Sequence, residues 1–285
     1  MRGPLTAALL LISASGLMAQ WPEQVPVPTS PPVLPFAVGE ELIYKADLGR
    51  LGGSGRGKMR VQAAEDVRGR PVYLLHFELR GKVALFKVRD HTCSWFDPAE
   101  RASLRFAKRE SSPLSSFKEA VDLYPERRQW VAATDSGEMV TDQPLDELSF
   151  IYFVRTLPLA DGDEYAFDRH FYPERNPTRV RVVGREVVVV PAGEFQAVVV
   201  EMQVKDDRRY DGVGTVRIHL TDDERRIPLR IESRMRNAGK TVLSLESIAG
   251  RGTRDEGREQ AKPSVGPPSE GPKVVIPSDS VGGKS

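Results

Sequence analysis

In Leu42-Ile43-Tyr44-Lys45-Ala46-Asp47-Leu48, every second residue is apolar and two of the three residues between them are charged. A period of two puts one face of an extended chain in a core and the other in water, as in a half-buried β-strand. Working outward, Met59, Val61 and Ala63 repeat the pattern, followed by Tyr73, Leu75, Phe77 and Leu79. It returns in Val180-Arg181-Val182-Val183, Glu186–Val190, Ala197–Val204, Val213–Leu220, Ile227–Ser233 and Thr241–Glu246, with turn signals at Asp135-Ser136-Gly137 and Asp211-Gly212. Closely spaced strands favour antiparallel neighbours. The lack of a fixed repeat argues against a propeller or solenoid. The expected fold class is all-β, mainly antiparallel: a curved sheet or β-barrel-like domain with one short buried helix.

That helix is Asp146-Glu147-Leu148-Ser149-Phe150-Ile151-Tyr152-Phe153-Val154-Arg155. Acidic residues at its start suit the helix dipole and Pro158 stops it. Leu148, Ile151, Tyr152 and Arg155 share one face, while Phe150, Phe153 and Val154 lie on the other. A helix apolar on both sides is buried on both sides, and in a β protein it fits inside a curved sheet or across a barrel mouth.

The ends of the chain read differently. Arg2, the short apolar run from Leu5 to Ile12 and the small residues up to Ala19 read as a secretory signal over residues 1–19, too short to span a bilayer. A lipid anchor would need a cysteine after the cut, where Gln20 stands, so the mature chain is expected to be periplasmic or secreted with no transmembrane segment. Residues 20–35 form a proline-rich linker, 36–250 the β domain, and 251–285 a tail without aromatic residues, expected to be disordered. The tail's apolar Lys273-Val274-Val275-Ile276-Pro277 could add a strand to a partner's sheet. Forty-one basic against forty acidic residues leave a net charge of +1, which gives no case for nucleic acid or an anionic membrane surface. The single cysteine, Cys93, rules out an internal disulfide and reads as a small buried hydrophobe.

Few motifs carry chemistry. Gly52-Gly53-Ser54-Gly55-Arg56-Gly57 fits neither a phosphate loop nor a nucleophile elbow and reads as a flexible hairpin loop. His91, Cys93 and Trp95 project from one strand face, but two ligands do not close a zinc site, and His76, His170 and His219 show no ligand spacing. No metal, cofactor or catalytic residue is assigned. Pro191-Ala192-Gly193-Glu194-Phe195 and Asp222-Asp223-Glu224-Arg225-Arg226 read as turns, the second without the regular spacing of a calcium loop. Arg155, at the end of an apolar helix, either pairs with a carboxylate inside the fold or faces a ligand head group; buried charges are generally matched. Tyr152 carries the same choice between satisfying a backbone group and lining a cavity.

The chain resembles the bacterial exported family described as "domain of unknown function 3108". The resemblance rests on Phe36-Ala37-Val38-Gly39-Glu40-Glu41-Leu42-Ile43-Tyr44, the Asp146–Arg155 helix, Val190-Pro191-Ala192-Gly193-Glu194-Phe195, and the run from Leu220 through Asp222-Asp223-Glu224-Arg225-Arg226 to Arg230. It implies an antiparallel β-barrel-like domain similar in outline to periplasmic carriers that hold lipoprotein acyl chains, and it implies no reaction.

The expected function is therefore non-enzymatic: an exported domain that binds an apolar, lipid-like or amphipathic component of the cell envelope beside the helix, with Tyr44, Phe150, Tyr152, Phe153 and Arg155 as candidate ligand-binding residues. The alternative is a scaffold that meets an envelope protein partner through its surface and flexible arms. An integral outer-membrane barrel is disfavoured, since charged residues interrupt any continuous lipid-facing band.

Overall fold

The computed structural model describes residues 33–49, 52–64, 66–112, 115–210, 212–235 and 239–249. The expected leader, the tail and all of the linker before residue 33 lie outside them. Fourteen strands form one sheet. In chain order they are β1 (Glu41–Leu48), β2 (Gly53–Ala63), β3 (Tyr73–Val83), β4 (Phe86–Asp97), β5 (Ala102–Ser112), β6 (Ser115–Tyr124), β7 (Gln129–Ala132) and β8 (Ser136–Glu138), then, after helix α1 (Glu147–Val154), β9 (Glu164–Phe167), β10 (Thr178–Val190) and β11 (Gly193–Lys205). A single-turn helix, α2 (Asp207–Tyr210), precedes β12 (Val213–Thr221), β13 (Pro228–Met235) and β14 (Gly239–Ala249).

Apart from β8 and β9, strands that are neighbours in sequence are neighbours in space, and every ladder is antiparallel. The exception to sequential pairing is β1 against β14, which joins the arm β1 to β8 to the arm β9 to β14. The sheet is therefore open and curved, with β8 and β9 as its edges. The segments beside those edges meet in a single parallel bridge, Leu145 to His170.

The period-two reading holds in β1 and at Met59 and Val61 of β2, but Ala63 is exposed, and in β11 the four residues Ala197 to Val200 are all buried instead of alternating. Leu42, Tyr44, Ala46 and Leu48 are all buried, and Lys45 and Asp47 face out. Three further expectations change. The turn signal at Asp135-Ser136-Gly137 falls partly in a strand, since β8 already begins at Ser136. Val180–Val183 and Glu186–Val190 form one strand, β10, whose register shifts between Val182 and Gly184, with Gly184 at φ +146°. A bulge with a glycine keeps the strand continuous while bending it. The glycine run is a strand rather than a loop: β2 begins at Gly53. A Cβ on Gly55 would lie 2.5 Å from the Arg80 carbonyl oxygen, and one on Gly81 would lie 2.5 Å from Leu48 Cδ1. These glycines allow backbones to approach where the sheet curves. Strands β5 to β9 were not read from the sequence.

Helix α1 matches its expected span. Asp146 caps it, accepting from the backbone N–H groups of Leu148 and Ser149, while Ser149 Oγ accepts from the Asp146 N–H in a capping box. Ser94 and Ser103 also donate to Asp146, at 2.5 and 2.7 Å, so this buried carboxylate is well satisfied. All helix residues from Leu148 to Val154 are buried except the half-buried Ile151. Phe150 and Phe153 pack edge-on to Phe167 of β9, which anchors that edge strand. The main core joins α1 to side chains from both arms of the sheet, and a second cluster of Phe106, Leu123, Trp130, Met139 and Phe171 lies under β5 to β8.

Candidate functional site

Between α1 and the concave face of the sheet lies a cavity of about 200 Å³. Its wall is built by the inward positions of alternating strands: Met59 of β2, Phe77 of β3, Met202 of β11 and Leu243 of β14. Leu148, Phe150 and Ile151 of α1 close the opposite side. The period-two pattern delivers the apolar wall because each strand presents one side-chain row to the interior.

Polar groups interrupt this wall at two places. The first is Lys108, an inward residue of β5 whose side chain is 2% exposed. Its ammonium contacts Glu147 at the start of α1, Glu110 at 3.0 Å and Asp90 at 3.7 Å. Burial alone would lower the Lys108 pKa, but the three carboxylates outweigh it and hold the amine above its ordinary value. Burial raises Asp90 and Glu147 above the usual carboxylate range, opposed by Lys108. The second lies near α2. Arg175 pairs with Asp206 at 3.4 Å, and Tyr210 shares a 2.8 Å hydrogen bond with Ser233. The Tyr210 ring rests against Gly214, where a Cβ would sit 2.2 Å from the ring, so only glycine admits this seat. His170 lines the same cavity, and its Nδ1 accepts from the Tyr172 N–H at 3.0 Å. Burial, with the Arg175 charge, keeps His170 well below its ordinary pKa and neutral.

Of the five residues proposed from the sequence, Phe150 lines this cavity. Tyr44, Tyr152, Phe153 and Arg155 pack in the core outside the lining. Tyr44 donates to the Pro228 carbonyl at 2.9 Å, and Tyr152 lies edge-on to Phe36. Arg155 takes the paired alternative: its guanidinium grips both oxygens of Glu40 at 2.7 and 2.8 Å and donates to the Pro35 and Arg225 carbonyls, each at 3.0 Å. Such bidentate geometry fixes a charge rather than offering it. Sequence reading missed Lys108, although Leu104-Arg105-Phe106-Ala107-Lys108 carries a signal: a lysine in an otherwise apolar row of an alternating strand.

Among the described residues, one group offers three side chains of metal-ligating type: His76, His91 and Cys93 on the outer face of β3 and β4, with ligand atoms all within 4.8 Å. Register creates it, because His76 lies directly opposite Cys93 and Glu78 opposite His91. Cys93 is therefore half-buried on the outer face rather than in the core, since strand parity turns Ser94 inward. The two histidine Nε2 atoms are 2.5 Å apart, and Arg60 lies 3.2 Å from His76 Nδ1. That arrangement makes His76 Nδ1 an acceptor and directs its Nε2 proton at His91. Burial, then His91 and Arg60, lower the His76 pKa to about 4, and burial raises the Cys93 thiol to about 11. His76 is thereby set as a neutral ring and Cys93 as a thiol, beside the Arg60 guanidinium.

A comparison with curated proteins finds no match. Among solved structures, a β-barrel-like protein of domain of unknown function DUF1849 from Brucella abortus superposes with a TM-score of 0.51 at 11% identity, over 75% of this chain and 98% of that one. A putative lipoprotein from Parabacteroides distasonis aligns over 76% of this chain and 99% of its own at 10% identity, with a TM-score of 0.27. The first of these supports the fold and nothing further. The family model described as "Protein of unknown function (DUF3108)" matches residues 44–246, from the first inward tyrosine of β1 to β14, and the chain belongs to that family.

Proposed function

We propose that the protein is an exported, non-enzymatic carrier that holds an apolar or amphipathic component of the cell envelope in the cavity beside α1. The observation that carries this reading is the cavity itself: an apolar wall from Met59, Phe77, Met202, Leu243 and α1, bordered by the Lys108 carboxylate cluster and the Arg175–Asp206 pair. Apolar enclosure with a few convergent polar groups is the usual form of a small-molecule site. Size narrows the ligand. About 200 Å³ is below the roughly 300–1,000 Å³ of sites for drug-sized ligands, so it suits a segment of acyl chain or a small amphiphile rather than an entire lipid.

Native mass spectrometry of protein purified gently from its own envelope tests the proposal. The expected result is a discrete adduct of an apolar or amphiphilic molecule that disappears in Val216→Trp, because Val216 lines the cavity and a larger side chain fills it. A bare mass, or an adduct that survives this variant, contradicts the reading.

A further inference from the structure

The hairpin joining β3 to β4 ends in Val83-Ala84-Leu85-Phe86. Leu85 is 94% exposed and Phe86 56%, so two large apolar side chains stand in water at the tip. Directly behind them the register sets Lys82 opposite Lys87 and Arg80 opposite Arg89, all four exposed. The second row continues sideways: Arg80 also faces Arg56 of β2, which faces Lys45 of β1. Like charges directly opposed across an antiparallel pair destabilise it.

Acidic neighbours relieve only part of this repulsion. Glu78 pairs with Arg80, and Glu246 pairs with Arg56 at 2.9 Å. Asp47 lies opposite Ser54, which in turn lies opposite Lys82. Among the described residues, Lys82, Lys87 and Arg89 have no carboxylate within ion-pair distance. An apolar tip behind a basic collar is complementary to one kind of surface, in which phosphates lie above hydrocarbon.

The tip also has a meaningful position. Strand directions place the β3–β4 turn at the same end of the sheet as the end of β11, the start of β12, and the turn between β13 and β14. Lys205, Tyr210, Ser233 and Thr241 border the cavity at that end. We propose that the β3–β4 hairpin is a membrane-docking tip for an anionic phospholipid bilayer, with Leu85 and Phe86 entering the interface and Arg80, Lys82, Lys87 and Arg89 meeting the headgroup phosphates. The overall charge of +1 conceals this site because a sum over the whole chain does not register a local excess of basic residues. The proposal goes beyond the carrier reading and does not need it.

Co-sedimentation of the purified protein with vesicles is the test, comparing phosphatidylcholine alone with phosphatidylcholine containing phosphatidylglycerol. Binding is expected only to the anionic vesicles and to weaken as salt is raised. Two folded variants, Lys82→Glu/Lys87→Glu and Leu85→Ser/Phe86→Ser, are each expected to lower partitioning by at least about tenfold, with unchanged circular dichroism confirming the fold. Failure to bind anionic vesicles, equal binding to neutral ones, or full binding by either variant overturns the proposal. Vesicle binding by the cavity-filled Val216→Trp protein is expected to be normal. Loss of vesicle binding with the mass-spectrometric adduct retained would overturn the docking tip and leave the carrier reading standing.

Discussion

At its C-terminal end α1 places the Arg155 guanidinium between the Glu40 carboxylate and two backbone carbonyls; at its N-terminal end it places Glu147 beside the Lys108 ammonium at the border of a cavity. Both cations have almost no exposed side-chain surface. They differ in geometry and surroundings. Arg155 has a planar fork matched by a bidentate acceptor, with Phe36 and Tyr152 packed on it. Lys108 is a point charge among three carboxylates with open space alongside. A buried charge enclosed by fixed partners belongs to the fold, whereas one at a cavity border can meet a ligand. Burial alone does not distinguish the two.

The largest expected effect tests the segment shared by both ends. Phe150→Asp removes an aromatic ring from the core and buries a charge, which should cost roughly 4 kcal/mol or more in thermal or urea unfolding. An unchanged melting temperature would mean that α1 is not the common anchor. Arg155→Met comes next: it leaves Glu40 and two carbonyls without their donor and should cost about 3 kcal/mol, with part recovered in Arg155→Met/Glu40→Gln. A cost below that of Lys108→Met would reverse the comparison.

Lys108→Met should cost only about 1–2 kcal/mol at pH 7, because its carboxylates can protonate or take up water from the cavity. The sign with pH follows from the raised pKa values of Asp90 and Glu147. A carboxylate raised in the folded state contributes stability that is full below its unfolded pKa and is lost as pH rises through the folded value. The Lys108→Met deficit should therefore shrink as pH falls toward about 4, the unfolded carboxylate range. Melting curves across pH would show it, and a deficit that grows on acidification contradicts the cluster. The smallest effect concerns His76 on the outer face, lowered to about 4 from 6.5. Its contribution is present above pH 6.5 and lost as pH falls toward 4, so His76→Gln should reduce the acid sensitivity by at most about 1 kcal/mol near pH 5.5. An unaltered pH profile in that variant would show that His76 is not held neutral.

Much of the fold could be read from the chain because alternation is local. Leu42 to Leu48 and the Asp146-to-Arg155 helix needed only neighbouring residues to identify them. The polar strands of the first arm carry less contrast between faces: Glu110-Ser111-Ser112 and Lys118-Glu119-Ala120 alternate weakly, and β5 to β8 escaped notice, as did the four-residue β9 of the other arm. Glycines misled for a related reason. Gly53 and Gly55 resemble loop residues until the approach of Arg80 and Val83 is known, which depends on a strand some 25 residues away in sequence. The site depended on register still more. His91 and Cys93 share a visible spacing, but only the pairing of β3 with β4 brings His76 to them, and only strand parity turns Lys108 inward and sets Lys82 against Lys87. Net charge concealed the basic hairpin because a sum carries no positions.

Methionine methyl NMR tests the central claim most directly, that the space beside α1 receives a ligand. Met59 and Met202 line the cavity, while Met139 lies in the separate cluster with Trp130 and Leu123. During titration with a single-chain amphiphile, the account predicts saturable shifts of the Met59 and Met202 methyl resonances with Met139 unmoved. No shift at Met59 and Met202, or an equal shift at Met139, would contradict it.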